Sequence, residues 1–141
     1  MVTRPPSCMS IRECRVRKGE TDLPHERQVV IVTGANQGIG LGLAHALAEL
    51  GHRVIGLDLS RENLDGFDSR ICDISSQARV DDVVQQICNE YGRIDVLVNN
   101  ACLAVFSSFE EKPLEETRRE FEVNYFGSIY MIRAVLPQMK S

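Results

Sequence analysis

The chain has 141 residues, of which 43% are hydrophobic and 26% charged, and its formal net charge at pH 7 is −4. This length predicts one domain, and the ordinary composition excludes a wholly disordered or collagen-like chain. The acidic balance offers nucleic acid no broad basic surface, and no apolar run reaches the roughly 18 residues of a membrane span, so we expect neither a nucleic-acid nor a membrane partner.

Residues 1–28 show no helical or strand periodicity and contain Pro5, Pro6 and Pro24. Residues 1–18 carry five basic side chains against the single acid Glu13, but they lack the apolar core of a secretory signal. We expect a disordered or leader extension, and the alternative is a mitochondrial presequence. The five cysteines of the chain are odd in number and form no C-x-x-C pair. This favours a reducing, cytoplasmic location and argues against a disulfide framework or a zinc site.

From residue 29 onward, short β-branched runs alternate with longer segments of helical period. The first run, residues 29–32, is apolar throughout, as in a strand covered on both faces. Further strands are predicted at residues 53–58, 70–73 and 96–98. A first helix is predicted at residues 39–50, with apolar residues at helical spacing: Ile39, Leu43, Ala46, Leu47 and Leu50. Alternating strands and helices predict βαβ crossovers, and hence an α/β fold with a parallel sheet and helices on both faces.

Two further helices complete the pattern. Ser75 or Ser76 can cap the second helix, which ends at Gly92 and has the apolar stripe Val80, Val83, Val84, Ile87 and Tyr91. Pro113 can open a long helix that ends near residue 139. Its predicted core residues are Leu114, Phe121, Ile129, Ile132 and Leu136.

Three glycines stand where the first strand meets the first helix. Gly34 permits a tight exit from the strand, Gly38 permits backbone to approach a diphosphate closely, and Gly40 lets the helix pack against the sheet. The helix N-terminus adds unpaired N–H groups and a positive dipole end. Such a turn favours nucleotide binding. The alternative, a plain strand–helix loop, is weakened by the strand before it, the helix after it and the downstream acid Asp58.

The glycine spacing, Gly34-x-x-x-Gly38-x-Gly40, resembles the Thr-Gly-x-x-x-Gly-x-Gly motif of the classical short-chain dehydrogenase/reductase family. Further segments are similar to that family in its own order: Asp73-Ile74, Asn99-Asn100-Ala101-Cys102, and Phe121-Glu122-Val123-Asn124 followed by Gly127. The resemblance runs from residue 29 to about residue 139 and implies an NAD(P)-binding Rossmann domain over residues 29–141. It implies a parallel sheet in the order 3-2-1-4, truncated after the helix that follows the fourth strand, with the glycine turn at its carboxyl edge.

The resemblance also assigns functional residues. The implied cofactor-binding residues are Gly34, Asn36, Gln37, Gly38, Ile39, Gly40, Asp58, Asp73, Ile74, Asn100 and Ala101, and no metal site is expected. Asn124 matches the catalytic helix asparagine, which holds a water through a local backbone irregularity and passes protons toward the active site. Two alternatives stay open: Asp73 as an ordinary helix-capping acid, and Asn124 as an amide that satisfies backbone groups. Asn99 is expected to tie neighbouring strands, and Cys102 replaces the family's glycine.

Asp58 ends the second predicted strand. A carboxylate there can accept hydrogen bonds from the adenosine ribose hydroxyls and would repel a 2′-phosphate. The expected cofactor is therefore NAD rather than NADP. The alternative for Asp58 is a solvated turn acid, and Arg61 complicates the choice because a guanidinium can bind a phosphate.

The residues that would perform the chemistry are not in the sequence. In the family a tyrosine acts as acid and base, and a lysine four residues later lowers its pKa. None of Tyr91, Tyr125 and Tyr130 precedes a lysine by four residues. We expect an NAD(P)-dependent oxidoreductase that interconverts a small-molecule alcohol and carbonyl in its full-length form, for which a homo-oligomer is one option. This chain alone is expected to be inactive and marginally stable.

Two other function classes remain as alternatives. One is a non-catalytic module that binds a nucleotide or a partner. The other is an extended-type relative such as a nucleotide-sugar epimerase, against which the Asn-Asn-Ala segment and the glycine spacing argue.

Overall fold

The computed structural model describes residues 26–63 and 65–140, which form a four-stranded parallel sheet in the order β3-β2-β1-β4. The predicted strand order is confirmed. In chain order the elements are β1 (Val29–Thr33), α1 (Gly38–Glu49), β2 (Arg53–Asp58), β3 (Asp68–Ile71), α2 (Gln77–Tyr91), β4 (Val96–Val98), α3 (Leu114–Phe121), a π-helical segment (Glu122–Gly127) and α4 (Ser128–Met139).

The central strand β1 is buried along its whole length, as its continuous apolar run predicts. Because successive side chains of a strand point to opposite faces, β1 contributes to two separate cores. Val30 and Val32 pack with Ala44 of α1 on one face. On the other face Ile31 joins a larger core that contains apolar residues of α2 and α4. The helices therefore cover both faces of the sheet, as expected of βαβ crossovers.

Strand β3 begins and ends two residues earlier than predicted, at Asp68 and Ile71 rather than at residues 70 and 73. The pairing of β2 explains the shift, because Asp58, the last residue of β2, stands opposite Ile71. One further hydrogen bond, from the Cys72 N–H to the Asp58 carbonyl at 2.8 Å, closes the ladder. Beyond it β2 offers no partner, so the chain turns and Cys72 and Ile74 enter the core.

The predicted long helix is interrupted by the π-helical segment Glu122–Gly127, and its predicted core is wrong. Leu114 and Phe121 are 58% and 60% exposed, and Ile129, Ile132 and Leu136 are also exposed. Met131 and Val135 are buried instead, in the core shared with α2. A π turn has a wider repeat than an α turn, so it rotates the following helix relative to a continuous α-helical pattern. The rotation leaves Ile129, Ile132 and Leu136 of α4 exposed, next to the exposed Leu114 and Phe121 of α3.

The first two helices, α1 and α2, also differ in detail from the sequence-based expectations. In α1 the buried residues are Gly40 and Ala44, while Ile39 and Leu50, at the two ends of the predicted stripe, are exposed. In α2 the stripe Val80, Val83, Val84 and Ile87 is buried as predicted. Ser76 occupies the N-cap position of α2, but its hydroxyl makes no capping hydrogen bond.

The predicted N-terminal extension lies mostly outside the described residues, since residues 1–25 are not among them. Residues 26–28 contact the domain. Glu26 forms an ion pair with Arg93 at 3.0 Å, and the Gln28 carbonyl accepts a hydrogen bond from the Arg53 N–H at 2.8 Å. Among the described residues no helix is both long enough and apolar enough to cross a membrane.

Candidate functional site

A cleft of about 420 Å³ opens at the carboxyl edge of the sheet, where β1, β2 and β4 end and α1 begins. All of the predicted cofactor residues except Asn36 and Gly40 line it. Its lining also includes residues that sequence reasoning did not assign to the cofactor: Leu57, Leu59, Cys72, Ser75, Cys102, Leu103, Arg119 and Val123. The structure thus brings together residues that are up to 89 positions apart in the chain, from Gly34 to Val123.

The three glycines of the turn divide into two that are packed and one that is open. A Cβ on Gly34 would lie 2.7 Å from the Cα of Ala101, and a Cβ on Gly40 would overlap the carbonyl oxygen of Gly34. Gly38 has nothing within 4 Å of its Cβ position and a φ of +57°, which disfavours any other residue. Gly34 and Gly40 therefore permit close packing, while Gly38 leaves free space at the N-terminus of α1.

Thr33 and Asn100 lock the carboxyl ends of β1 and β4 together. The buried Thr33 hydroxyl donates to the Val98 carbonyl at 3.3 Å and accepts from the Asn100 and Ala101 N–H groups at 3.0 and 3.1 Å. The Asn100 amide donates to the carbonyls of Thr33 and Gly34 at 3.0 and 3.1 Å. The sequence-based assignment of this tie to Asn99 is wrong, because the side chain that reaches β1 is that of Asn100.

Asp58 is held in one orientation by two backbone donors. Its Oδ2 accepts from the Asn36 N–H at 3.0 Å, and its Oδ1 accepts from the Leu59 N–H at 2.7 Å. The Asn36 side chain is itself occupied, donating to the Ser60 hydroxyl at 2.8 Å and accepting from the Asn63 N–H at 2.9 Å. Asn36 therefore organises the wall behind Asp58 instead of facing the cleft. Each carboxylate oxygen of Asp58 keeps lone pairs for a ligand.

The segment after β3 supplies a second acid and a buried thiol. Asp73 Oδ1 accepts from both the N–H and the hydroxyl of Ser75, at 3.0 and 2.7 Å, so the side chain also orders the turn before α2. Burial raises the pKa of the Cys72 thiol to about 11, so this cleft residue stays protonated at neutral pH. Cys102, by contrast, is an exposed residue of the cleft lining.

Asn124 lies in the π-helical segment and does not line the cleft. Its side-chain amide forms two hydrogen bonds with the backbone of Leu103. Oδ1 accepts from the Leu103 N–H and Nδ2 donates to the Leu103 carbonyl, each at 2.8 Å. Arg119 and Val123, four residues apart on the same helix face, do reach the cleft. Because Arg119 and Val123 are four residues apart in a predicted helix, their spacing places them on one face of that helix. This spacing is the sequence signal that could have identified them as cleft residues.

None of the three tyrosines lines the cleft. The Tyr91 hydroxyl donates to Asp68 Oδ2 at 2.6 Å. Burial, followed by this hydrogen bond, raises the pKa of Tyr91 above its usual value. Tyr125 and Phe126 stack edge-on at 5.2 Å. Within residues 26–63 and 65–140 no three histidine, cysteine or acidic side chains come together as metal ligands.

Residues 28–141 match the family model described as short chain dehydrogenase. A 3-ketodihydrosphingosine reductase of Bacteroides thetaiotaomicron is 36% identical over 114 residues, which are 80% of this chain and 42% of that protein. The chain spans about half the length of the curated relatives it matches, between 42% and 53% for the first three.

Solved structures agree with this assignment. The ligand-free aldohexose dehydrogenase of Thermoplasma acidophilum superposes with a TM-score of 0.78 at 36% identity, covering 82% of this chain and 46% of that one. An NAD+-bound xylitol dehydrogenase superposes with a TM-score of 0.74 at 33% identity, covering 79% and 48%. Other neighbours were solved with NADP or NADH. The predicted Rossmann-type fold and the family resemblance are both confirmed.

Proposed function

This chain belongs to the short-chain dehydrogenase family of oxidoreductases, and we propose that it forms the nicotinamide-dinucleotide-binding part of an enzyme that interconverts alcohols and carbonyls. The observation that carries this proposal is the cleft between the carboxyl ends of β1 and β4, bordered by the N-terminus of α1. In an open parallel sheet this is the point where the strand order reverses, and dinucleotides bind there. The ligands of the solved neighbours support the same class of cofactor.

The residues of the cleft fit such a ligand from end to end. Gly38 leaves room for the diphosphate. The first turn of α1 carries no acidic residue whose negative charge would repel the diphosphate from the positive end of the helix dipole. Asp58 and Asp73 would hold the adenosine half, and Ala101 would border the nicotinamide half. When bound, the nicotinamide ring supplies hydride transfer. The chain's own residues bind and orient it, and Arg119 adds a positive charge to the cleft wall.

We infer a preference for NAD over NADP from the position of Asp58. The two backbone N–H groups nearest its carboxylate are already bonded to it, so neither is free to receive a 2′-phosphate. A fixed negative charge at this point would repel the phosphate and accept the two ribose hydroxyls. Arg61 is the competing feature, because its exposed guanidinium could bind the phosphate.

A second candidate, a nucleotide-binding module without turnover, is favoured by one observation. No tyrosine of the sequence precedes a lysine by four residues, and Tyr91 is committed to Asp68 outside the cleft. We propose that the 141-residue chain by itself binds the dinucleotide but is catalytically silent. It should also be marginally stable, since within the described residues β4 pairs only with β1 and α3 and α4 expose apolar side chains.

The proposal is tested by titrating the purified chain with NADH and following the nucleotide fluorescence, with AMP as competitor. We expect saturable binding, and we expect Gly38→Ala to weaken it at least about tenfold because a side chain would enter the diphosphate cradle. Gly42→Ala is the matched control: it lies in the same helix with nothing within 4 Å of its Cβ position and a helical φ. Absence of NADH binding by a folded wild-type chain, or equal weakening by both substitutions, would contradict the proposal.

A further inference from the structure

A short segment beside the cleft is held by side chains in the way that a neighbouring strand would hold it. The backbone N–H and carbonyl of Leu103 both pair with Asn124. Two residues later, the Val105 N–H donates to Glu120 Oε1 at 2.6 Å and the Val105 carbonyl accepts from Lys112 Nζ at 2.9 Å. All four polar backbone groups of these alternate residues are therefore satisfied without any strand partner.

Lys112 and Glu120 also bind each other, with Nζ and Oε2 at 2.5 Å. Their side chains are only 17% and 18% exposed. In the Arg118–Glu115 pair of α3, by contrast, the side chains are 69% and 79% exposed and the charged atoms are 3.8 Å apart. The hydrogen bond from Lys112, with that from the Val105 N–H, lowers the pKa of Glu120 below its usual value. The Glu120 carboxylate is therefore ionised at neutral pH, and the pair is less exposed than an ordinary surface ion pair.

We call Lys112 and Glu120, which bind each other and the backbone of Val105, the clasp. The clasp holds a residue that follows the cleft wall closely in the chain. Cys102 and Leu103 line the cleft directly after Ala101. Asn100 fixes the beginning of this wall to β1, Asn124 fixes Leu103, and the clasp fixes Val105. Without the clasp, the last residue of the wall held by a side chain would be Leu103. The loop formed by residues 104–112 could then move relative to Leu103.

We propose that Lys112 and Glu120 are positioning residues that hold Val105 so that Ala101, Cys102 and Leu103 keep the shape of the nicotinamide side of the cleft. This inference rests on the proposed function, because only a dinucleotide has a half that reaches this wall. Among the described residues, the adenosine side, built from Asp58, Asp73 and the glycine turn, forms no hydrogen bond or ion pair with Lys112, Glu120 or Val105 and should not depend on them.

The test compares two ligands on the full chain, NADH and AMP, for Lys112→Met, Glu120→Ala and Glu120→Gln. We expect Lys112→Met and Glu120→Ala to lower NADH affinity about fivefold or more and to leave AMP affinity within about twofold. Glu120→Gln keeps an acceptor for the Val105 N–H and should recover part of the loss. Glu115→Gln, which removes a charge from the same helix without touching the loop, is the matched control and should change neither affinity.

Amide hydrogen exchange supplies a second readout that needs no nucleotide. The Val105 amide should exchange at least about tenfold faster in Glu120→Ala, which removes the acceptor of its N–H group, while Glu115→Gln leaves the exchange unchanged. Three results would overturn the inference: equal loss of NADH and AMP binding in the clasp variants, unchanged NADH binding in those variants, or unchanged Val105 exchange. In each case, NADH binding by the wild-type chain would leave the proposed function standing. A folded wild-type chain that binds neither ligand would overturn both.

Discussion

Replacing the Asp58 carboxylate by an amide isolates the feature on which cofactor choice depends. Asp58→Asn keeps the shape of the side chain and one acceptor oxygen, but it removes the charge and leaves one of the Asn36 and Leu59 N–H groups without its acceptor. Hydrogen bonds to a charged group contribute about 1.5–3 kcal/mol, so losing one from a ribose hydroxyl predicts a fall in NADH affinity of roughly 10- to 100-fold. NADPH loses no such bond and is relieved of repulsion, so its affinity should hold or rise.

Asp58→Ala should also reduce the difference between the NADH and NADPH affinities. It leaves both the Asn36 and the Leu59 N–H groups without an acceptor, so it should lower the free energy of unfolding more than Asp58→Asn does. The assay is a fluorescence titration of both reduced nucleotides against wild type and variants. Asp81→Asn, an exposed acid of α2 outside the cleft, is the control and should behave as wild type. Tighter binding of NADPH than NADH by the wild type would refute the reasoning and point to Arg61.

Three further outcomes follow from the contacts. Gly34→Ala places a Cβ 2.7 Å from the Ala101 Cα at a φ of +68°, so a loss of at least about 1–2 kcal/mol should appear as a fall of several degrees in Tm. Burial raises the pKa of Asp68, but the hydrogen bonds from Tyr91 and Arg70 outweigh it and leave that pKa lowered. The ionised Asp68 therefore stabilises the folded chain at pH values above the unfolded-state pKa of about 4. This stabilisation is lost as the pH falls through the pKa of Asp68 in the folded state. The cost of Tyr91→Phe, roughly 1 kcal/mol at pH 6, should therefore shrink in urea melts at pH 3, and a constant cost would contradict this assignment. An assay of the chain against a panel of alcohols and ketones should detect no turnover above background, and measurable turnover would require a base other than the tyrosine–lysine pair.

The strands and the glycine turn could be predicted because their sequence signals are local and strong, whereas the strand order was implied by the family resemblance. A continuous β-branched run such as residues 29–32 is typical of a strand covered on both faces, and β1 is buried throughout. The cleft follows from the same pattern, since parallel strands bring their carboxyl ends to one edge of the sheet. The family resemblance implied that Asp58, Asp73 and Ala101 bind one ligand, and all three line the cleft.

The features that sequence reasoning missed depend on geometry that the residue pattern does not encode. The stripe of the last helix was predicted for an unbroken α-helix, and the π-helical segment turned Met131 and Val135 inward instead. Asn99 and Asn100 are adjacent amides, and only the pleat of the chain after β4 decides which one faces β1. Lys112 and Glu120 meet across a loop and a helix turn, a separation for which no periodic signal exists.

The most direct test of the central assignment is to titrate the ¹⁵N-labelled chain with NADH and follow each backbone amide by NMR. A dinucleotide in the cleft should shift the amides of Gly34, Gly38 and Ala101 together and saturably, while the solvent-exposed face of α2 stays unchanged. Saturable shifts confined to residues outside the cleft, or no shifts from a folded chain at millimolar NADH, would contradict the account.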